Sequence, residues 1–169
     1  MPVITDEQRA LIGRETKPCP ATYPVNEVMA RFWCEMVEDA NPIYFDEAYA
    51  RSTWLRGTFA PPPMLFTWGM PPVWPEEQRE NPVGALDLEG CSATIAVKAV
   101  QEYVMPLRYG DTLTVTTQIS SISDEKTTRL GTGHFLATVD TFRNQEGRVV
   151  GTHTFSLFVY RPQAPGGQK

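Results

Sequence analysis

The chain changes period near its middle. Up to about residue 70, apolar residues recur at the three-and-four spacing of helices, interrupted by prolines. From about residue 93 they alternate with polar ones, as on strands with one covered face. Thr5 with Gln8 reads as a capping box that opens a short helix through about Ile12. After Asn26, the residues Val28, Met29, Phe32, Trp33, Met36 and Val37 predict a second helix with this set on its buried face. Asp46 caps a third, from Glu47 to about Ser52. Ala60-Pro61-Pro62-Pro63 then leads into Met64-Leu65-Phe66-Thr67-Trp68-Gly69-Met70. Proline suits a first helical turn, so this predicts a short helix with a proline entrance. Apolar all round, it is expected to be buried.

The strands follow. Ala93 to Val104 is β-rich, and Leu113, Val115, Thr117 and Ile119 alternate with Thr114, Thr116 and Gln118. Phe135, Ala137 and Val139 alternate with Thr138 and Asp140, and Val149 to Tyr160 forms a last long strand. Asn144-Gln145-Glu146-Gly147 predicts the hairpin turn between these two. If Asn144 pairs with Gly147, Thr138 lies opposite His153. Helices first and four long antiparallel strands after them give an α+β fold, an antiparallel sheet wrapped on a buried helix. Residues 1–161 form one domain, with a disordered tail expected over 162–169.

Composition narrows the function classes. Fifteen Lys and Arg against 20 Asp and Glu leave a net charge of −5, with no basic stripe for nucleic acid or an anionic membrane. Cys19, Cys34 and Cys91 show neither zinc-ligand nor disulfide spacing. No metal and no cofactor are expected. The N-terminus lacks an apolar signal core and no run is long enough for a membrane helix, so a cytoplasmic protein is expected. Phosphate-loop, dinucleotide, zinc-protease and nucleophile-elbow motifs are missing. Gly131-Thr132-Gly133 reads as a connection between strands rather than a phosphate loop. Only His134 and His153 are available as imidazoles, and spacing ties no carboxylate to either.

One stretch stands out: Glu38-Asp39-Ala40-Asn41-Pro42-Ile43-Tyr44-Phe45-Asp46. Locally it is a helix end, an Asn-Pro turn and a new cap. It also resembles the D-x-N-P-x-H-x-D signature of the MaoC-like (R)-specific enoyl-CoA hydratases and dehydratases. Tyr103-Val104-Met105-Pro106-Leu107-Arg108-Tyr109-Gly110-Asp111-Thr112-Leu113 and Asn144-Gln145-Glu146-Gly147-Arg148-Val149-Val150 resemble two later passages of the same family. Together the likeness covers roughly residues 8–161 and implies a single hot-dog fold.

In that family an Asp and a His position water at the enoyl double bond. Here the Asp falls on Asp39 and the His on Tyr44. A phenol with an ordinary pKa near 10 cannot cycle a proton at neutral pH as imidazole does. Active members also enter the buried helix through a sequence whose free N–H holds the thioester oxygen. Three prolines stand there in this chain, and proline has no N–H.

The resemblance therefore implies no catalytic residue here, only a degenerate motif of Asp39, Asn41 and Tyr44. It points to the family's non-catalytic, FAS1-like half, the steroid side-chain type most of all. That half widens the tunnel for a long or bulky acyl-CoA, with Pro61, Pro62, Met64, Trp68 and Met70, and Trp74 beside them, as lining. The implied partner is a catalytic MaoC-like subunit, in a heterodimer or heterotetramer. Two other readings stay open: a stand-alone homodimer acting as acyl-CoA hydratase or thioesterase, and a lipid- or steroid-binding protein.

Overall fold

The computed structural model describes residues 4–77 and 79–163. Helix α1, Asp6–Ala10, carries both bonds of the Thr5–Gln8 capping box. It stops short of Ile12 because Ile12 bridges Ile119 on the sheet and the Gly13 amide donates to the Ile119 carbonyl at 2.8 Å. Helix α2, Glu27–Val37, is opened by Asn26, whose side chain accepts from the Met29 amide. It is closed by Glu38 in the left-handed region at φ 58°. Asp46 caps α3, Glu47–Ser52, through the Tyr49 amide. A 3₁₀ turn at Pro62–Met64 runs straight into α4, Leu65–Gly69.

Two helix faces differ from expectation. Helix α2 buries Ala30 and Cys34 and half-buries Met29 and Trp33, while Val28, Phe32 and Met36 are 62%, 67% and 73% exposed. Its apolar arc is wider than the core it meets, so one i, i+4, i+8 stripe is left uncovered. Helix α4 buries Leu65 and Trp68, but Phe66 and the following Met70 lie at the surface. The helix is apolar all round yet only one side reaches the sheet.

Strands β1 (Cys19–Pro20), β2 (Ala93–Tyr103), β3 (Thr114–Ile122), β4 (Lys126–Thr127), β5 (Gly131–Arg143) and β6 (Val149–Pro162) form one antiparallel sheet. Its order is β1-β3-β5-β6-β2, with β4 pairing β5. The four long strands are those expected; β1 and β4 are too short to show a period. Gly131-Thr132-Gly133 is no connection but the start of β5. A Cβ on Gly133 would stand 2.1 Å from the Val159 carbonyl oxygen. Pro162 ends β6, and the Gln163 amide donates to the Leu130 carbonyl at 3.2 Å, so the expected tail boundary moves outward. The remainder of that tail lies outside the described residues.

The β5–β6 register also differs. Asn144 pairs through its amide with the Arg148 carbonyl, Gly147 takes φ 75°, and the ladder slips between Phe142 and Arg143. A turn with a left-handed glycine and a bulge adds residues to one strand. As a result Asp140, not Thr138, stands opposite His153.

Met64, Leu65 and Trp68 pack on the sheet with Leu113, Val115, Phe142 and Val150. Each such burial contributes roughly 1.5–3 kcal/mol. Close approach requires two glycines: a Cβ on Gly69 would meet Phe142 at 2.6 Å, and one on Gly151 would meet Leu65 at 2.7 Å. Among the described residues no helix is long and apolar enough to cross a membrane.

Candidate functional site

Asp39 and Asn41 are both committed to local turns. Asp39 Oδ1 accepts from the Asn41 amide at 3.1 Å, and Asn41 Oδ1 accepts from the Ile43 amide at 3.1 Å. Asp39 lines an open groove with Arg31, Cys34 and Phe45, and the Arg31 guanidinium lies over the Phe45 ring at 4.3 Å.

Tyr44 ends the short turn Pro42–Tyr44 and is 9% exposed. Its ring meets Phe45 and Phe59 edge-on, at centroid separations of 6.0 and 5.4 Å. Burial pushes the phenol pKa above its ordinary value, and the Asp39 and Cys34 charges push the same way. A phenol so placed holds its proton at neutral pH. The Tyr109 hydroxyl donates to the Tyr44 carbonyl at 3.0 Å, and burial raises Tyr109 further.

The proline entrance is short of donors. Pro61, Pro62 and Pro63 have no N–H. On either side the amides are spent: Ala60 donates to Leu107 at 2.8 Å, Met64 to Pro61 at 3.0 Å, and Leu65 to Pro62. From Ala60 to Leu65, therefore, every backbone N–H is absent or already used. The loop before it is pinned by Arg108, whose guanidinium donates to the carbonyls of Gly57 at 2.6 Å, Thr58 at 2.9 Å, and Leu55. Asp111 accepts from the Arg108 amide at 2.7 Å and from Gln145 at 3.0 Å. The two later passages are thus joined, and both support the entrance.

An apolar cavity of about 240 Å³ opens at this end of α4, lined by Pro62, Leu65, Phe59, Trp54, Val104 and Met105 among others. Of the residues expected to line an acyl path, Pro62 faces this cavity. Pro61, Met64 and Trp68 are buried, Met64 at 1% exposure within the core. Met70 lines a different cavity beyond the other end of α4, and Trp74 is exposed. The expected lining residues are therefore not brought together on one surface of this chain.

One group escaped the sequence: Asp140, whose Oδ2 lies 3.2 Å from His153 Nδ1. Strand alternation puts both on one face, but pairing depends on the turn's extra residue. Gly147 at the end of the hairpin turn was the signal.

Residues 10–153 match the FAS1-like, dehydratase domain region family. The chain is 36% identical over 163 residues to the probable enoyl-CoA hydratase alpha subunit of Thermomonospora curvata, covering 92% of this chain and 51% of that one. It is 32% identical over 125 residues to the 3-oxo-4,17-pregnadiene-20-carboxyl-CoA hydratase alpha subunit of Mycobacterium tuberculosis, covering 72% and 40%. The chain thus spans about half or less of these relatives' length. Among solved structures, the ChsH1-ChsH2 complex of Mycobacterium tuberculosis superposes with a TM-score of 0.81 at 26% identity, covering 95% of this chain and 90% of that one.

Proposed function

The chain belongs to the FAS1-like dehydratase family, MaoC-like proteins with a hot-dog fold, and from that premise we propose that it is a non-catalytic subunit of a heteromeric (R)-specific enoyl-CoA hydratase. The observation that carries this reading is the entrance to α4, where no backbone N–H from Ala60 to Leu65 is free to hold a thioester oxygen. Such N–H groups are what stabilise the developing oxyanion in acyl chemistry. Tyr44, buried and with a raised pKa, supplies no base in their stead. A catalytic MaoC-like partner provides the Asp and His, and this chain shapes the space for a long or bulky acyl group. The steroid-type relative supports a ring-bearing acyl-CoA as the substrate class.

Two surfaces fit a partner. Strand β2 ends the sheet order, and Ile95, Val97, Tyr103 and Val104 are exposed along and just beyond it. An uncovered edge of this length is a ready template for another sheet. The apolar cavity lies beside the C-terminal end of the same strand, so a partner pairing there would close it. Pro61, Met64 and Trp68 then act from behind, setting the position of Pro62 and Leu65.

The test is reconstitution. The purified chain alone is expected to hydrate no trans-2-enoyl-CoA, and co-expression with a His-bearing MaoC-like protein is expected to yield a stable, active complex. Robust turnover by the isolated chain, abolished by Asp39→Ala, overturns the reading.

A further inference from the structure

A cavity of about 230 Å³ lies beyond the C-terminal end of α4, at the other end of the helix from the proline entrance. Phe66, Met70, Val115 and Phe142 give it an apolar wall, Thr117 and Asp140 give it a polar one, and Lys17, Arg79 and Glu80 line its other side. Asp140 is held from both sides. Thr117 Oγ1 donates to its Oδ1 at 2.6 Å, and His153 Nδ1 to its Oδ2 at 3.2 Å. His153 is itself buried, with Phe66 tilted against its ring at 4.5 Å. Thr117, Asp140 and His153 are cross-strand neighbours in one row over β3, β5 and β6. The Asp140 side chain is 17% exposed.

The fold does not ask for this arrangement. The preceding row on the same face is Val115, Phe142 and Gly151, none of which carries a polar side chain. Moving a carboxylate out of water is costly, and an apolar side chain of similar volume is often at least as stable. Residues that break the local rule in this way are expected where function sets the choice. A carboxylate has about four acceptor positions, and the two donors here use two of them. What the row offers a ligand is a fixed acceptor at the edge of an apolar wall.

We propose that this cavity is a second binding site, which takes an apolar ring bearing a hydroxyl group. The ring lies against Phe66, Val115 and Phe142, and the hydroxyl donates to Asp140. Thr117 and His153 are positioning residues that hold the carboxylate toward the cavity. The site is independent of the hydratase reading, since it needs neither a partner nor the proline entrance.

The experiment is an NMR titration of the full chain with p-cresol and, in parallel, toluene, which has the same ring and methyl group but no hydroxyl. p-Cresol is expected to shift the His153 ring and the Val115 methyl signals saturably, with toluene at least about tenfold weaker, ~1.4 kcal/mol. In Asp140→Leu, p-cresol is expected to fall to the toluene level while toluene binding persists. Three results overturn the proposal: toluene matching p-cresol on the unmodified chain, saturable binding without shifts at His153 and Val115, or a folded Asp140→Leu chain that still prefers p-cresol. Should Asp140→Leu fail to fold, the cresol–toluene comparison on the unmodified chain decides alone.

Discussion

Tyr44→His restores the imidazole of the family motif and leaves the entrance as it is. The isolated variant is expected to gain little hydratase activity. A positioned general base contributes about 10²–10⁴ in rate, and one oxyanion donor about 10²–10³. Groups that act as a unit are not additive, so the base recovers much less than its own factor while the thioester oxygen goes unheld. The donors stay lost because the Met64 amide is bound to Pro61 at 3.0 Å and the Leu65 amide to Pro62. The substitution itself is tolerable. It gives up edge contacts with Phe45 and Phe59, each worth about 0.5–1.5 kcal/mol, and urea unfolding checks that the variant is folded. Loss of the enoyl thioester absorbance of a trans-2-enoyl-CoA reads the rate for the parent, Tyr44→His, and Tyr44→His with Pro63→Gly. The double variant, with an N–H returned at position 63, is expected to exceed both. Near-normal hydration by Tyr44→His alone would mean that the thioester oxygen finds its donor elsewhere, and the entrance would no longer carry the non-catalytic reading.

Two further outcomes are expected. Arg108→Met strips the donors from the carbonyls of Leu55, Gly57 and Thr58 and should cost about 3 kcal/mol in urea unfolding, an unchanged midpoint refuting the pinning role. Burial raises the pKa of Tyr44 and Tyr109, so the folded chain keeps protons that the unfolded chain releases. Stability from this source is present below about pH 10 and lost as pH rises beyond it, at ~1.4 kcal/mol per pH unit for each tyrosine. Tyr44→Phe should flatten that decline; an equal slope in both chains would refute it.

Much of the fold was legible because its signals are local. Thr5, Asn26 and Asp46 cap helices through side-chain oxygens a few residues from the amides they serve, and alternation marks the long strands. What was not legible needed a second surface. In α2 the period groups Val28, Phe32 and Met36 correctly, but which stripe of a wide apolar arc is covered depends on the sheet it meets. For His153 the period gave the right face and the wrong neighbour. A two-residue change of register keeps a side chain on its face and exchanges Thr138 for Asp140, and with it an inert neighbour for a carboxylate.

The proline entrance can be separated into what folding requires and what it does not. A single proline in the first turn is compatible with a helix, since its missing N–H would have no intrahelical partner anyway. The turn Pro62–Met64 and α4 behind it need no more than that. Three in succession remove every amide between Ala60 and Met64, and the flanking amides are already bound to Leu107, Pro61 and Pro62. Water or a ligand oxygen arriving at this end of α4 meets the Pro62 ring, with Leu65 and Phe59 beside it. An end without donors repels the thioester oxygen and suits hydrocarbon. On the function proposed above, that is the physical sense in which a helix end able to hold a reacting group would serve instead as a wall for an acyl chain.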